Sequence, residues 1–195
     1  PLQLTDDTRA AFNELAIQGV TYNGQLYGIP YAIENVVLFR NTDLAPQAPR
    51  TMEELIAKGE ELKAAGKVSE IMALPVGANG DAYHMYPIYT SAGGYLFGKT
   101  AEGDYDPKDL GVGKPESVAA FEKIRGLGEK GDGALKRSIT VENSIARFTA
   151  GKCAFLVSGP WAVTDAQKAK IAYDVSPVPG FAGGKPAQPF LGVQS

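Results

Sequence analysis

Residues 153–162 read Cys153-Ala154-Phe155-Leu156-Val157-Ser158-Gly159-Pro160-Trp161-Ala162, an apolar run that stops at a Gly-Pro corner and then delivers the one tryptophan of the chain. The run predicts a short strand over 153–157. Proline fixes its own φ and the glycine before it tolerates conformations that other residues avoid, so the corner can turn the strand and aim the next side chain into a cleft. A flat indole in a cleft suits a sugar ring, whose axial C–H groups form an apolar face of similar size. Trp161 reads equally as ordinary core, because tryptophan is highly buried on average.

Outward from this stretch, helical and strand signals alternate. Upstream, Val141, Ile145 and Phe148 recur at helical spacing up to Gly151. Before that, Pro115 opens a helix with Val118, Phe121 and Ile124 on one face, closed by Gly126 and Gly128. The segment 102–113, rich in acidic residues and glycine, reads as a surface loop. Asp81 to Tyr89 predicts a helix capped by Asn79 or Asp81, running into the loop 92–97, and Ile71 to Pro75 predicts a short strand. Thr51-Met52-Glu53-Glu54 fits a capping box in front of Leu55, Ile56, Gly59 and Leu62, with Gly66 as terminator. Tyr31 to Phe39 is a long extended run broken by Glu34 and Asn35. Asn23-Gly24 predicts a hairpin turn inside 21–30, and Thr5 caps a helix carrying Phe12, Leu15 and Ala16. Downstream, a short helix and a strand over 171–175 complete an α/β pattern with neither repeat nor low-complexity tract. One main domain with a small N-terminal appendage is expected.

Composition excludes several functions. The 195 residues are 44% hydrophobic and 21% charged, the profile of a globular chain. A formal net charge of -3 argues against nonspecific attraction to nucleic acid or to an anionic membrane. One cysteine and one histidine give no zinc-site pattern, and Cys153 reads as a small buried hydrophobe. No window approaches the roughly 20 apolar residues of a membrane span. The chain starts at Pro1 without a signal-like segment and stops on what reads as an arriving strand, 189–195, so a processed or truncated product is expected. No phosphate-binding glycine loop and no G-x-S-x-G nucleophile motif is present.

Glu34 is a carboxylate set between Ile33 and the apolar run 36–39; it must reach solvent or find partners. It reads as an outward strand residue or, facing a cleft, as an acceptor for sugar hydroxyls. Asp81, Tyr83, His84 and Tyr86 interleave acid, phenol and imidazole. Asp81 reads as a helix cap or a ligand contact, the tyrosines as core or platforms, and His84 as a partly exposed helix residue or a pocket lining. A polyol site needs flat apolar platforms and fixed acceptors, and the chain offers both. The paired acids Glu34 and Asp81 also permit a glycosidase. A scaffold whose aromatics are simply core is a third reading.

Several landmarks in order resemble the extracellular solute-binding proteins of ABC sugar importers, of the maltose/maltodextrin-binding type: Tyr22-Asn23-Gly24, Tyr27-Gly28-Ile29-Pro30, Ala32-Ile33-Glu34, Asn41-Thr42-Asp43-Leu44, Thr51-Met52-Glu53-Glu54, Ala92-Gly93-Gly94-Tyr95, Ser158-Gly159-Pro160-Trp161-Ala162 and Pro189-Phe190-Leu191-Gly192-Val193. The resemblance implies a type II periplasmic-binding-protein fold, two α/β lobes joined by crossing segments, with ligand in the cleft between them. It implies that residues 1–30 are a remnant of the first lobe leading into the crossing. Residues 31–195 are then the second, C-terminal lobe, truncated before its terminal helices.

By the same resemblance Glu34 falls on a sugar-hydroxyl acceptor, Trp161 on a tryptophan stacking on glucose, and Tyr83 on a stacking or hydrogen-bonding tyrosine. Asp81 and His84 stand where the family has glutamate and phenylalanine, which leaves trehalose or another small glucoside open beside maltodextrin. The implied protein is not an enzyme and needs no cofactor. It is exported, periplasmic or at the cell surface, free or lipid-anchored, and delivers its sugar to permease subunits.

Overall fold

A computed structural model describes residues 1–195. In chain order the elements are α1 (Asp6–Ala10), α2 (Glu14–Gly19), β1 (Thr21–Tyr22), β2 (Gln25–Leu26), β3 (Ala32–Glu34), β4 (Val37–Asn41), α3 (Met52–Ala64), α4 (Ala82–Ser91), β5 (Phe97–Lys99), β6 (Tyr105–Leu110), α5 (Pro115–Gly126), α6 (Val141–Thr149), β7 (Phe155–Ser158), a 3₁₀ turn (Pro160–Ala162), α7 (Val163–Lys168), β8 (Tyr173–Ser176) and β9 (Gly192–Gln194). They fall into two compact units, Pro1–Asn35 with Leu191–Ser195, and Val36–Phe190. No helix is long and apolar enough to cross a membrane.

In the smaller unit the Asn-Gly hairpin forms as read, with Asn23 and Gly24 both at positive φ between β1 and β2. The expected N-terminal helix is split. Thr5 caps α1, but the Asn13 side chain accepts from the Leu15 amide and starts α2 afresh, so Leu15 and Ala16 belong to a second helix. The run 31–39 is likewise two strands. β3 pairs antiparallel with β9, and the chain changes unit at Asn35/Val36, next to the two polar residues that interrupt the run. Leu191–Ser195 group with the first unit because β9 is the partner of β3.

The larger unit is built on an antiparallel sheet in the order β7-β4-β8. Alternate residues of its strands serve two cores. Leu38, Phe155 and Val157 join Met52, Leu55, Ile56 and Leu62 of α3 and Ile88 of α4, while Phe39 and Leu156 join Phe148 of α6, Ala162 and Ala166. A strand covered on both faces is apolar at successive positions, which is why 153–157 carries no alternation. Inside this sheet Arg40 is buried, pairs with Asp174 across the β4–β8 register at 2.8 Å and also donates to the Ala45 carbonyl.

Four local expectations change. Thr51 does accept from the Glu54 amide, but the Glu54 carboxylate accepts from the Arg50 amide and guanidinium, so the reciprocal half of the capping box goes to Arg50. Residues 71–74 are buried, yet they make only an isolated parallel bridge, Ala73 to Leu156. The polar stretch 102–113 contains β6, paired with β5 through an irregular register, with Lys99 over the Tyr105 ring. Strand formation there comes from backbone pairing, since Asp106, Lys108 and Asp109 give no apolar alternation. On α5, Val118 and Phe121 are half exposed and the helix buries Ser117 and Ala120 instead.

Cys153 is fully buried, and burial, with the Glu70 charge second, pushes its thiol up to about 12. Glu70 is itself buried and ion-paired with Arg147. The thiolate is the reactive form, so the folded chain at pH 8 will resist iodoacetamide and become alkylated only in urea. Rapid alkylation without urea contradicts this burial. An ordinary cysteine titrates near 8.5. Because the folded value lies above it, the stability contributed by the buried thiol is intact below that pH and is lost as pH rises towards 12.

Candidate functional site

Trp161 sits in the 3₁₀ turn directly after β7, and its neighbour Ala162 is fully buried in the second core. The turn is thereby anchored while the indole remains 40% exposed. Gly159 contributes space here: its φ of -110° is open to other residues, but a Cβ at this position would lie 2.2 Å from Trp161 Cζ3. The indole thus lies back against bare backbone. That close approach, rather than unusual dihedrals, is why glycine precedes the proline.

Helix α4 brings the second group. Asp81 caps it, Oδ1 accepting from the His84 amide at 2.9 Å, while Oδ2 lies 3.0 Å from His84 Nδ1. His84 is buried at 5% exposure, which corrects its reading as a partly exposed helix residue. The cause is its position under the two larger rings: it meets Trp161 edge to face at 6.0 Å and 85°, and Tyr83 at 5.5 Å and 81°. Tyr83 is tilted on Trp161 at 6.4 Å and stacks on Phe190 at 6.0 Å and 12°. Phe190 in turn stacks on Tyr86 at 3.8 Å. Burial, with Tyr105 and Tyr89 behind it, holds the Tyr86 phenol above its usual range.

The larger unit therefore gathers Asp81, Tyr83, His84, Tyr86 and Trp161, five of the six candidate side chains, into one aromatic cluster with a carboxylate at its edge. Phe190 is a further member; its sequence signal is its place in the Pro189-Phe190 pair just before β9. Glu34 belongs to the smaller unit. It is half-buried at the end of β3, where Oε1 accepts from Gln194 Nε2 at 3.1 Å, opposite Gly192. No group of three or more histidine, cysteine or acidic side chains is placed to hold a metal. The chemistry on offer is stacking on flat rings and acceptance of hydrogen bonds from hydroxyl groups.

The family model for bacterial extracellular solute-binding proteins matches residues 1–195. The chain belongs to that family. Among its relatives, the galactooligosaccharide-binding protein of Bacillus subtilis (strain 168) is 30% identical over 200 residues, covering 100% of this chain and 46% of the relative. The maltodextrin-binding protein MdxE of the same organism is 30% identical over 201 residues, covering 98% of this chain and 46% of its own length. A maltooligosaccharide ABC transporter solute-binding lipoprotein of Streptococcus pneumoniae (strain ATCC BAA-255 / R6) is 30% identical over 191 residues, covering 96% and 43%. The chain thus spans a little under half the length of these relatives. All three are named as binding proteins, and the glycosidase reading of Glu34 and Asp81 finds no support.

Proposed function

We propose that this chain is part of the sugar-binding component of an ABC importer, taking maltodextrin-type glucosides and passing them to permease subunits outside the cytoplasm. The observation that carries the reading is the Trp161 indole, 40% exposed on an anchored turn and flanked by Tyr83 and His84. An aromatic face left partly open beside an acidic helix cap is what a sugar ring with its hydroxyl rim requires. Trp161 and Tyr83 are the platforms, Asp81 is an acceptor whose oxygens keep a second lone pair each, and His84 lines the site. Glu34 keeps the role that the resemblance gives it, a hydroxyl acceptor, with Gln194 as its neighbour in the strand pair.

In this reading Val36–Phe190 is the body of one lobe of a type II fold, and the residues at Asn35/Val36 and Phe190/Leu191 are the interlobe crossings. The galactooligosaccharide-binding relative makes the sugar the sharpest point to test. Calorimetry of the full chain with maltotriose and with a galactotriose distinguishes the two ligands. Saturable heat with maltotriose is expected. A response to the galactoside alone moves the ligand within the sugar class, and silence with both contradicts the reading.

A further inference from the structure

We propose that His84 is a specificity-determining residue of this site: its Nε2 accepts a hydrogen bond from a ligand hydroxyl, and Asp81 is the positioning residue that fixes the ring for it. The inference rests on the sugar-binding reading and gives one side chain of that site a defined task. A phenylalanine in the same slot would supply the same edge contacts and no acceptor.

One carboxylate grips His84 twice, at the backbone amide through Oδ1 and at Nδ1 through Oδ2. An ionised carboxylate only accepts, so in the neutral imidazole the proton sits on Nδ1 and the lone pair on Nε2. The ring cannot easily turn over, being set edge to face against Trp161 and Tyr83 with 7% of its side chain exposed. Its hydrogen bond within the chain is the one at Nδ1, and Nε2 is not among the buried nitrogen and oxygen atoms left without a partner. In the neutral ring Nε2 is therefore an acceptor of fixed tautomer, set beside the one open indole of the chain. Burying it under a ligand without a hydroxyl to offer would leave it unpaired, which disfavours deoxy analogues against the parent sugar.

His84 is the one histidine in these 195 residues, so its ring nitrogens can be followed in the full chain by ¹⁵N NMR, with His84→Gln identifying the signals. In the neutral ring without sugar, Nδ1 is expected to carry the proton and Nε2 to be bare; saturating maltotriose is expected to shift Nε2 in the direction of an accepted hydrogen bond. His84→Phe is expected to weaken maltotriose binding roughly tenfold, the scale of one hydrogen bond, and His84→Gln, which keeps a polar atom at similar reach, to recover most of that loss. Asp81→Asn retains a cap-forming side chain, yet is expected to release the tautomer so that both ring nitrogens show mixed protonation. Maltotriose bound with the Nε2 signal unmoved, or bound by His84→Phe as tightly as by the parent, overturns the role of His84. An unbiased tautomer in the parent, or one unchanged in Asp81→Asn, overturns the role of Asp81. A parent protein that binds neither maltotriose nor a galactotriose overturns the sugar reading itself, and the inference with it.

Discussion

Replacing Trp161 by alanine is expected to lower the affinity of the full chain for maltotriose about 30-fold or more, with little loss of thermal stability. Aromatic anchors at the centre of a site typically cost ~2 kcal/mol or more on truncation, which corresponds to that ratio. The indole is 40% exposed and its turn is held by the buried Ala162, so the fold does not depend on it. Calorimetry and a melting curve on the same variant separate the two effects. Gly159→Ala provides an independent approach, because a Cβ 2.2 Å from Cζ3 must displace the ring while leaving it chemically intact. It should lose affinity comparably. Full retention by both variants would mean that the indole is not the platform.

Gly59→Ala is expected to be the most damaging small substitution in the larger unit. In an open helix the change to alanine is favourable by up to about 1 kcal/mol. Here the new Cβ would stand 2.6 Å from Ile71 Cγ2, 2.7 Å from the Ile71 carbonyl oxygen and 2.9 Å from its Cα. Two of these three atoms are backbone, in a segment buried under α3, so no rotamer change relieves the contact. Overpacking of this kind costs about 1–3 kcal/mol and outweighs the propensity gain. For a chain of this size the melting temperature should fall by roughly 2–4 °C for each kcal/mol lost. Gly126, at the end of α5 with nothing within 4 Å of its Cβ position, is the matching control and should tolerate alanine. A melting temperature raised by Gly59→Ala would show that residue 71 can retreat.

Both positions show what the sequence could and could not disclose. Gly59 lies at helical spacing with Leu55, Ile56 and Leu62, so its burial on α3 was legible, whereas the closeness of Ile71 depends on a segment whose strand character reduced to one bridge. The Gly-Pro corner and its tryptophan were equally legible. The reason for the glycine was not, since it lies in where the indole folds back. The burial of His84 is illegible for a related cause: on a short helix rich in tyrosine no single face is marked as buried, and the rings that cover it come partly from residue 161, far along the chain. Periodicity failed on α5, where Val118 and Phe121 form a regular stripe that is half exposed. It failed again at β6, where antiparallel backbone pairing, not apolar alternation, makes the strand. The cluster of Asp81, Tyr83, His84 and Trp161 was visible as a set of residue types; the pairing of Asp81 with both ends of His84 required coordinates.

A sugar lying on the Trp161 face changes the surroundings of the one indole in the chain, so its emission reports the contact. Maltotriose titrated into the full chain, with Trp161→Phe as the reference, should produce a saturable change that disappears in the reference. An emission that stays constant while calorimetry registers binding would place the sugar elsewhere and contradict the account.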